Sequence, residues 1–229
     1  MCGRYTFFTP PQIIEKRFSV TVNDEVKPRY NAAPTQLLPV IRNTEAREIT
    51  YLSWGLIPHW ATDDKGASKL INARSETLVE KPSFRNALKK RRCLVLTDGF
   101  YEWAHDEHGK KYPVRVSLKS KEPFAMAGLW EHWVNPKSGE IQETFTIVTT
   151  AANERIRPIH ERMPAFLTEE TEKIWLDNTK SVEDWLAVLK PFPQELIEVQ
   201  KVSKLVNSNK NEGEELLQPE EEQDELRLF

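Results

Sequence analysis

Apolar residues recur at helical spacing in four segments of the chain. In the first segment Ile13, Ile14 and Phe18 fall on one side of a helix, because positions three to four apart share a helical face. In the last segment Ser181 is followed three residues later by Asp184, a pattern typical of a helix N-terminus. The spacing predicts helices over Pro10–Ser19, Ser83–Arg92, Thr168–Asp177 and Ser181–Lys190, with one or two further helical turns over Ala151–Ile156.

Short runs of β-branched and aromatic residues, separated by turn residues, predict strands through much of the remaining chain. The turn pair Asp98–Gly99 separates two of these runs, which predicts a hairpin between them. Helices and strands do not alternate as regular βαβ units, so we expect a single α+β domain on a largely antiparallel β-sheet or barrel with peripheral helices. The predicted strands are Leu37–Ile41, Arg47–Trp54, Cys93–Thr97, Phe100–Ala104, Tyr112–Leu118, Phe124–Trp130, Glu143–Thr149 and Ile197–Val202.

Three stretches of the sequence show neither the helical nor the strand pattern. Prolines at both ends of Pro28–Pro34 predict an irregular loop there, and Trp54–Trp60 is aromatic and punctuated by glycine and proline. After Val206 the chain is polar and charged, which predicts disorder. With no internal repeat and no linker, the pattern predicts one domain over residues 1–210 and an acidic disordered tail over residues 211–229.

Charge is unevenly divided along the 229 residues. The net charge is −3, but residues 211–229 contain eight acidic residues and one basic residue, a net −7. Residues 1–210 therefore carry a net +4, which permits a polyanionic partner without requiring one. No apolar run is long enough to span a bilayer, no signal peptide is visible, and only Cys2 and Cys93 are cysteines. We expect a cytoplasmic protein that does not bind a membrane and has no disulfide framework.

Cys2 is the first candidate for chemistry. Because Cys2 is small, we expect methionine aminopeptidase to remove Met1. Its removal leaves a free α-amine and a thiol on the same residue. Such an aminothiol condenses with an aldehyde to an imine, which the thiol then closes to a five-membered thiazolidine ring, favoured by proximity. An α-amine titrates near about 7.7–8.0, so roughly a third is neutral and nucleophilic at pH ~7.5. The alternative is that Met-Cys is only the start of an ordinary chain.

Three further stretches combine polar groups that suit catalysis or phosphate binding. In an extended segment Asn72 and Arg74 point to the same side, where an amide and a guanidinium can hold sugar and phosphate oxygens. Glu102 lies among aromatic neighbours, and burial there would raise its pKa as for a general acid. His160 lies in a proline-bracketed loop and can exchange a proton near neutral pH. Each also has an ordinary alternative: a turn residue with a surface arginine, an outward-facing glutamate, or a surface histidine.

The remaining polar clusters suggest less specific roles. Lys89–Arg92 could contact phosphates, but cations also favour a helix C-terminus. His105 and His108 are spaced for a metal, but no cysteine or further histidine completes a zinc set. We predict neither a metal nor any other cofactor.

Seven motifs in a fixed order are more specific than any one of them. Together they make the chain from Cys2 to about Asn207 similar to the SRAP family, the SOS-response-associated peptidases or abasic-site processing proteins. The acidic tail lies outside the resemblance. The motifs are Met1–Tyr5, Arg29–Pro34, Trp54–Pro58, Ile71–Thr77, Asp98–Trp103, Ile147–Asn153 and Ile159–Pro164.

The resemblance implies a protein that recognises abasic sites in single-stranded DNA and forms a thiazolidine crosslink through Cys2, shielding the lesion during the DNA damage response. It implies that Asn72 positions the opened sugar, Glu102 assists ring opening and imine chemistry, and His160 assists proton transfer. Lyase activity is expected as a side reaction of the imine, and autoproteolysis would expose the cysteine. The residues expected to contact DNA are Arg4, Pro34, Trp54, Trp60, Arg74 and Arg162.

The same resemblance implies single-stranded DNA as the partner, contacts with replication-fork proteins, a monomer, and association with the nucleoid in a bacterium. Two alternatives remain open from the residues. One is a cysteine peptidase that acts on other proteins, with Cys2 and His160 as nucleophile and base. The other is non-covalent binding of single-stranded nucleic acid.

Overall fold

Two β-sheets form the centre of the molecule in a computed structural model that describes residues 2–22, 26–45 and 48–219. Five strands form one sheet and eight the other. In chain order the strands are β1 (Tyr5–Phe7), β2 (Arg29–Ala32), β3 (Leu37–Arg42), β4 (Ile49–Trp54), β5 (Asn72–Arg74), β6 (Arg92–Thr97), β7 (Gly99–His105), β8 (Lys111–Leu118), β9 (Phe124–Val134), β10 (Ile141–Ala151), β11 (Arg162–Pro164), β12 (Phe166–Leu167) and β13 (Ile197–Lys201).

The strand pairing is largely antiparallel. The five-stranded sheet has the order β13-β8-β7-β1-β2, and every pair in it is antiparallel. In the other sheet β10 is the hub: it pairs antiparallel with β9 and β11, and parallel with β4 and β5. These two parallel pairs make the second sheet mixed. The predicted single α+β domain on a largely antiparallel sheet is confirmed.

Within the described residues four α-helices pack around the sheets, as the spacing predicted: α1 (Pro11–Phe18), α2 (Pro82–Lys90), α3 (Glu169–Leu176) and α4 (Val182–Ala187). Helix α2 begins with a proline, which needs no hydrogen-bond partner there, and buries one apolar stripe of Phe84, Ala87 and Leu88. At α4 the predicted capping box is present, with Ser181 and Asp184 each bonding the other's backbone amide. The helix ends at Ala187, earlier than predicted. Two single helix-type turns follow β10, closed by hydrogen bonds from Arg157 to Asn153 and from His160 to Ile156, so the one or two helical turns predicted over Ala151–Ile156 lie a few residues later than predicted.

The predicted hairpin at Asp98–Gly99 is wrong, because this pair carries the chain from one sheet to the other. Strand β6 pairs with β3 and β9, whereas β7 pairs with β1 and β8. The Asp98 carboxylate accepts hydrogen bonds from the amides of Phe8 and Thr9, which fixes the end of β1. A side chain at residue 99 would meet the Val116 carbonyl oxygen at 2.7 Å, so glycine is required by the close approach of β8.

Strand β2 replaces the irregular loop predicted for Pro28–Pro34. Its residues pair with β1, and the two prolines flank the strand rather than interrupt it. Because β2 is the edge of its sheet, the flanking prolines remove no hydrogen bond from the ladder's interior. Local sequence could not reveal this pairing, since β1 lies more than twenty residues away.

The two faces of β7 serve different clusters because its side chains alternate. Phe100 belongs to the main hydrophobic core. Tyr101 forms a second, small cluster with Val202 and Val206, against which Trp103 and Leu217 pack. The C-terminal segment therefore covers the outer face of the five-stranded sheet. Disorder was predicted for it after Val206, but residues 207–219 lie against the body, whereas residues 220–229 lie outside the described part.

No helix of the described residues is long and apolar enough to cross a bilayer. The predicted division of the chain at residue 210 stays a prediction.

Candidate functional site

Cys2 lies just before β1, with only 1% of its surface exposed. Its thiol donates a hydrogen bond to the Arg4 carbonyl oxygen at an Sγ–O distance of 3.6 Å. Burial raises the pKa of the Cys2 thiol well above its usual range, and the nearby Glu102 carboxylate raises it further. The thiol is therefore neutral at physiological pH. Cys93 is also a free, buried thiol.

Asn72 is the residue that fixes the position of Cys2. It is the first residue of β5, which its parallel pairing with β10 holds in the eight-stranded sheet. Its side-chain amide donates to the Cys2 carbonyl oxygen at 2.8 Å. The Asn72 Oδ1 atom is buried and accepts no hydrogen bond from the described residues, so it can accept one from a bound molecule. The Asn72–Cys2 hydrogen bond joins the two sheets at the candidate site.

Glu102 approaches Cys2 from β7, the strand next to β1. The sequence allowed either a buried glutamate or one that faces outward. Glu102 is 5% exposed, so the outward-facing alternative is excluded. The amide of the preceding Tyr101 donates to the Arg4 carbonyl at 2.9 Å, which ties β7 to the residues that follow Cys2. The structure thus brings together three of the predicted residues, Cys2, Asn72 and Glu102.

His160 is half-buried in the turn before β11. Its Nδ1 accepts a hydrogen bond from the Arg162 backbone amide at 2.9 Å. In the neutral ring this bond assigns the proton to Nε2, which is then the atom that can give or take a proton. Strand β11 lies two strands from Asn72, with β10 between β11 and β5.

Arg162 was predicted to contact a DNA phosphate, but its side chain does not face outward. It is 9% exposed, and its guanidinium binds both carboxylate oxygens of Glu76 at 2.6 and 2.8 Å. It also donates to the Thr149 carbonyl at 2.7 Å. These bonds use the planar guanidinium within the protein, and they hold the start of β11, two residues after His160. The Arg162 bonds also hold the pKa of Glu76 below its usual range.

Trp54 is also placed differently from its prediction as a base-stacking residue. Its ring is completely buried, with the Tyr5 ring at 5.3 Å and the Phe145 ring at 6.3 Å between centroids. Its indole N–H donates to the Ile71 carbonyl at 2.9 Å, so the ring supports the strand end that leads to Asn72. Trp60, by contrast, is 56% exposed and can present a ring to a ligand.

The other residues predicted to contact DNA differ in how exposed their side chains are. Arg74 is exposed, and Pro34 is half-exposed. Arg4 is half-buried and donates to Asn31 Oδ1 at 2.7 Å and to the Val206 carbonyl at 3.0 Å. Burial lowers the pKa of Arg4. Arg4 therefore ties the start of the chain to its C-terminal segment.

The basic run Lys89–Arg92 divides into two parts. The two lysines are exposed, whereas Arg91 forms an ion pair with the buried Glu131 at 2.7 Å. Arg92 is fully buried, stacks over the Trp185 ring at 3.5 Å and donates to the Trp175 carbonyl. Arg92 is thus a structural residue, which its place in a charged run concealed.

Sequence reasoning missed two features, the first of them beside Cys2. Tyr5, fully buried beside Cys2, carries a hydroxyl that bonds to none of the described residues. Its place in the Met1–Tyr5 motif was the one available signal. Along β8 and β13 of the five-stranded sheet, four lysines from three separate segments contribute to the lining of a groove of about 470 Å³. They are Lys110, Lys111, Lys201 and Lys204, with the Lys201 ammonium over the Tyr112 ring at 5.6 Å.

These observations define a protein with a buried cysteine next to its first strand, flanked by an amide and a carboxylate. The profile of the SOS response associated peptidase (SRAP) family matches residues 1–209. The chain belongs to the SRAP family.

Its relatives include proteins from bacteria and vertebrates. The chain is 44% identical to the abasic site processing protein YoqW of Bacillus subtilis, over 95% of this chain and 99% of YoqW. It is 35% identical to the abasic site processing protein HMCES of Gallus gallus, over 84% of this chain and 66% of HMCES. A crystal structure of a Bacteroides thetaiotaomicron protein superposes with a TM-score of 0.86 at 29% identity, covering 96% of this chain and all of that one.

Proposed function

We propose that this protein recognises abasic sites in single-stranded DNA and crosslinks to them through the α-amine and thiol of Cys2. One observation carries the proposal: Asn72 holds the Cys2 carbonyl from one sheet while the Glu102 carboxylate lies beside the thiol from the other. Family membership supports it, as do the names of YoqW and HMCES, which are abasic site processing proteins.

The chemistry requires that Met1 is removed, so that residue 2 carries a free amine. The ring-opened abasic sugar presents an aldehyde at C1′. The amine adds to that carbon and expels water to give an imine. The thiol then adds across the C=N bond, its sulfur to carbon and its proton to nitrogen, and a thiazolidine results. Both nucleophiles lie on one residue, so ring closure is intramolecular.

Each neighbouring side chain has a role in these steps. Glu102 moves a proton between the sugar oxygens and opens the ring. His160 gives and takes protons at the amine and imine through Nε2. The amide of Asn72 orients Cys2, and its unpaired Oδ1 accepts a hydrogen bond from the sugar. Positioned acid–base groups of this kind each contribute typically about 10²–10⁴-fold to a rate.

DNA would be held by groups outside the reacting centre. Arg74 is exposed on the strand that carries Asn72, and it suits the phosphate next to the lesion. The exposed Trp60 and the half-exposed Pro34 can contact unstacked bases, since stacking on aromatic rings tolerates any base. The lysine-lined groove offers charge for a more distant part of the strand.

Several finer properties belong to the same proposal. An imine that fails to close can lose the 3′ phosphate by β-elimination, so lyase activity accompanies crosslinking. Release of Met1 is autoproteolytic or enzymatic. The protein acts as a monomer during the DNA damage response, near replication-fork proteins, and is cytoplasmic and nucleoid-associated in a bacterium.

A cysteine peptidase acting on other proteins is the second candidate, with Cys2 and His160 as its nucleophile and base. The surroundings of Cys2 favour the crosslinking role instead. Peptidase nucleophiles need a lowered thiol pKa and a cationic neighbour, whereas burial and a carboxylate raise the pKa of Cys2. A neutral thiol is the form that delivers both sulfur and proton to an imine.

The test is incubation with an oligonucleotide that contains one abasic site, followed by electrophoresis in hot detergent and mass spectrometry of the N-terminal peptide. We expect a heat-stable adduct on residue 2 that Cys2→Ala lacks. Acetylation of the α-amine should abolish the adduct while leaving any peptidase activity. A complex that dissociates in detergent would indicate non-covalent binding and contradict the proposal.

A further inference from the structure

The edge strand β2 contains an irregularity that turns two consecutive backbone amides toward one side. Tyr5 pairs with Ala32 and Phe7 with Arg29, so two steps along β1 match three along β2. Such an extra residue is a β-bulge, which leaves amides unpaired with the neighbouring strand. The amides of Tyr30 and Asn31 both donate to the same oxygen of Glu212, the second at 3.0 Å.

Side chains complete the surroundings of this carboxylate. The Arg29 Nε atom lies 3.3 Å from the other Glu212 oxygen. Two residues further on, Glu214 accepts a hydrogen bond from the Tyr30 hydroxyl at 2.9 Å. Burial, together with that contact, raises the pKa of Tyr30 to about 12. Two amides, a guanidinium and a phenol are donors that suit a phosphate as well as a carboxylate.

The segment that supplies Glu212 is anchored firmly just before it. The side-chain amide of Asn31 donates to the carbonyls of Ser208 at 2.9 Å and Asn211 at 3.0 Å. Arg4 donates to Val206. Side-chain hydrogen bonds to main-chain carbonyls thus hold the segment against β2, and those contacts do not depend on the charge of Glu212. The carboxylates themselves stay partly exposed, with Glu212 at 38%.

This donor set lies within reach of a strand bound at Cys2. Arg29 pairs with Phe7, and five residues of extended chain from Cys2 to Phe7 span about 17 Å. That is a few nucleotides of extended single strand. We propose, resting on the proposed function, that Arg29, Tyr30 and Asn31 form a binding site for a backbone phosphate of single-stranded DNA, and that Glu212 and Glu214 occupy this site in the free protein.

The acidic segment then acts as an internal competitor. DNA must displace the two carboxylates before its phosphate reaches the site, so the apparent affinity falls with the fraction of molecules in which the site is open. Removing the Glu212 charge raises that fraction. A segment that occupies the site about four-fifths of the time lowers affinity about fivefold.

The experiment measures binding of an undamaged single-stranded oligonucleotide by fluorescence anisotropy at several salt concentrations. Glu212→Gln should bind about fivefold more tightly than wild type. Its log–log salt slope should also be steeper, because in wild type added salt weakens the Glu212–Arg29 ion pair and so offsets part of the salt dependence of DNA binding. Glu215→Gln is the matched control: it removes the same charge in the same segment, from a carboxylate that makes no hydrogen bond or ion pair with the described residues. It should bind as wild type does.

The double variant Arg29→Gln, Glu212→Gln should lose both the gain in affinity and the added slope. Equal effects of Glu212→Gln and Glu215→Gln would overturn the site, because only general charge would then matter. Glu212→Gln could lower the melting temperature and so confuse the comparison of affinities. In that case Glu214→Gln, which breaks only an exposed contact, must also bind the oligonucleotide more tightly than wild type. No gain there also overturns the proposal. Undamaged DNA forms no crosslink, so these results are independent of whether the proposed crosslinking chemistry is correct.

Discussion

The side-chain amide of Asn72 donates a 2.8 Å hydrogen bond to the main-chain carbonyl of Cys2. This single contact joins β5 of the eight-stranded sheet to the residue that precedes β1 of the five-stranded sheet. It fixes the backbone of the residue whose amine and thiol must both reach one carbon atom in the proposed reaction. The orientation of Cys2 therefore depends on the packing of the two sheets.

We expect Asn72→Ala to slow crosslinking at saturating abasic DNA on the order of 10²-fold, because misplacement of a reacting group by about 1 Å has that effect. Arg74→Ala, on the same strand, is the matched control. It should weaken DNA binding and reduce the salt slope by about 0.7, with little change in the saturated rate. Single-turnover rates as a function of DNA concentration separate the two. Equal saturated rates for Asn72→Ala and wild type would contradict the positioning role.

Glu102 and His160 should respond differently to the form of the substrate. Glu102→Gln should slow crosslinking about 10²-fold or more with a ring-closing abasic sugar, and far less with an open-chain aldehyde, since only the former needs ring opening. His160→Ala should slow both reactions, and reversal as well, because the same proton transfers run backward. Rates on the two substrates test this division. A Glu102→Gln defect that is equal on both would assign Glu102 another role.

The Glu76–Arg162 ion pair should make stability depend on pH. Because Arg162 lowers the pKa of folded Glu76, the pair stabilises the fold above the unfolded value of about 4.3, and that stability is lost as pH falls through the lower folded pKa. Glu76→Gln should therefore lower the melting temperature near neutral pH, and the difference from wild type should vanish in acid. Thermal melts at a series of pH values measure it. Glu80→Gln, an exposed neighbour, should show no such trend.

Trp54 and Trp60 should separate stability from binding. Trp54→Ala removes a fully buried ring and should lower the free energy of unfolding by about 3–5 kcal/mol. Trp60→Ala should change it by less than about 0.5 kcal/mol, because Trp60 is exposed. It should instead weaken single-strand binding by about 1–3 kcal/mol if a base stacks on its ring. Urea unfolding and anisotropy measure the two quantities. Wild-type affinity for Trp60→Ala would exclude it from the DNA surface.

Local patterns in the sequence were enough for most helices and strands. The apolar spacing of α2 and the capping box of α4 act within a few residues, so both could be predicted without knowing the fold. The aminothiol chemistry of Cys2 likewise follows from its own atoms and its place beside Met1. The local sequence allowed Glu102 to be either buried or outward-facing, and only the assembled sheet shows that it is buried.

Tertiary structure alone decided the features that depend on distant partners. Arg162 is held by Glu76, Trp54 lies between Tyr5 and Phe145, and Asp98–Gly99 leads into a second sheet instead of turning a hairpin. An exposed arginine and a paired one have the same local sequence, because the difference is a contact with residues far along the chain. The sequence specified which groups could react or bind, and the packing of the two sheets determined which of them face the site.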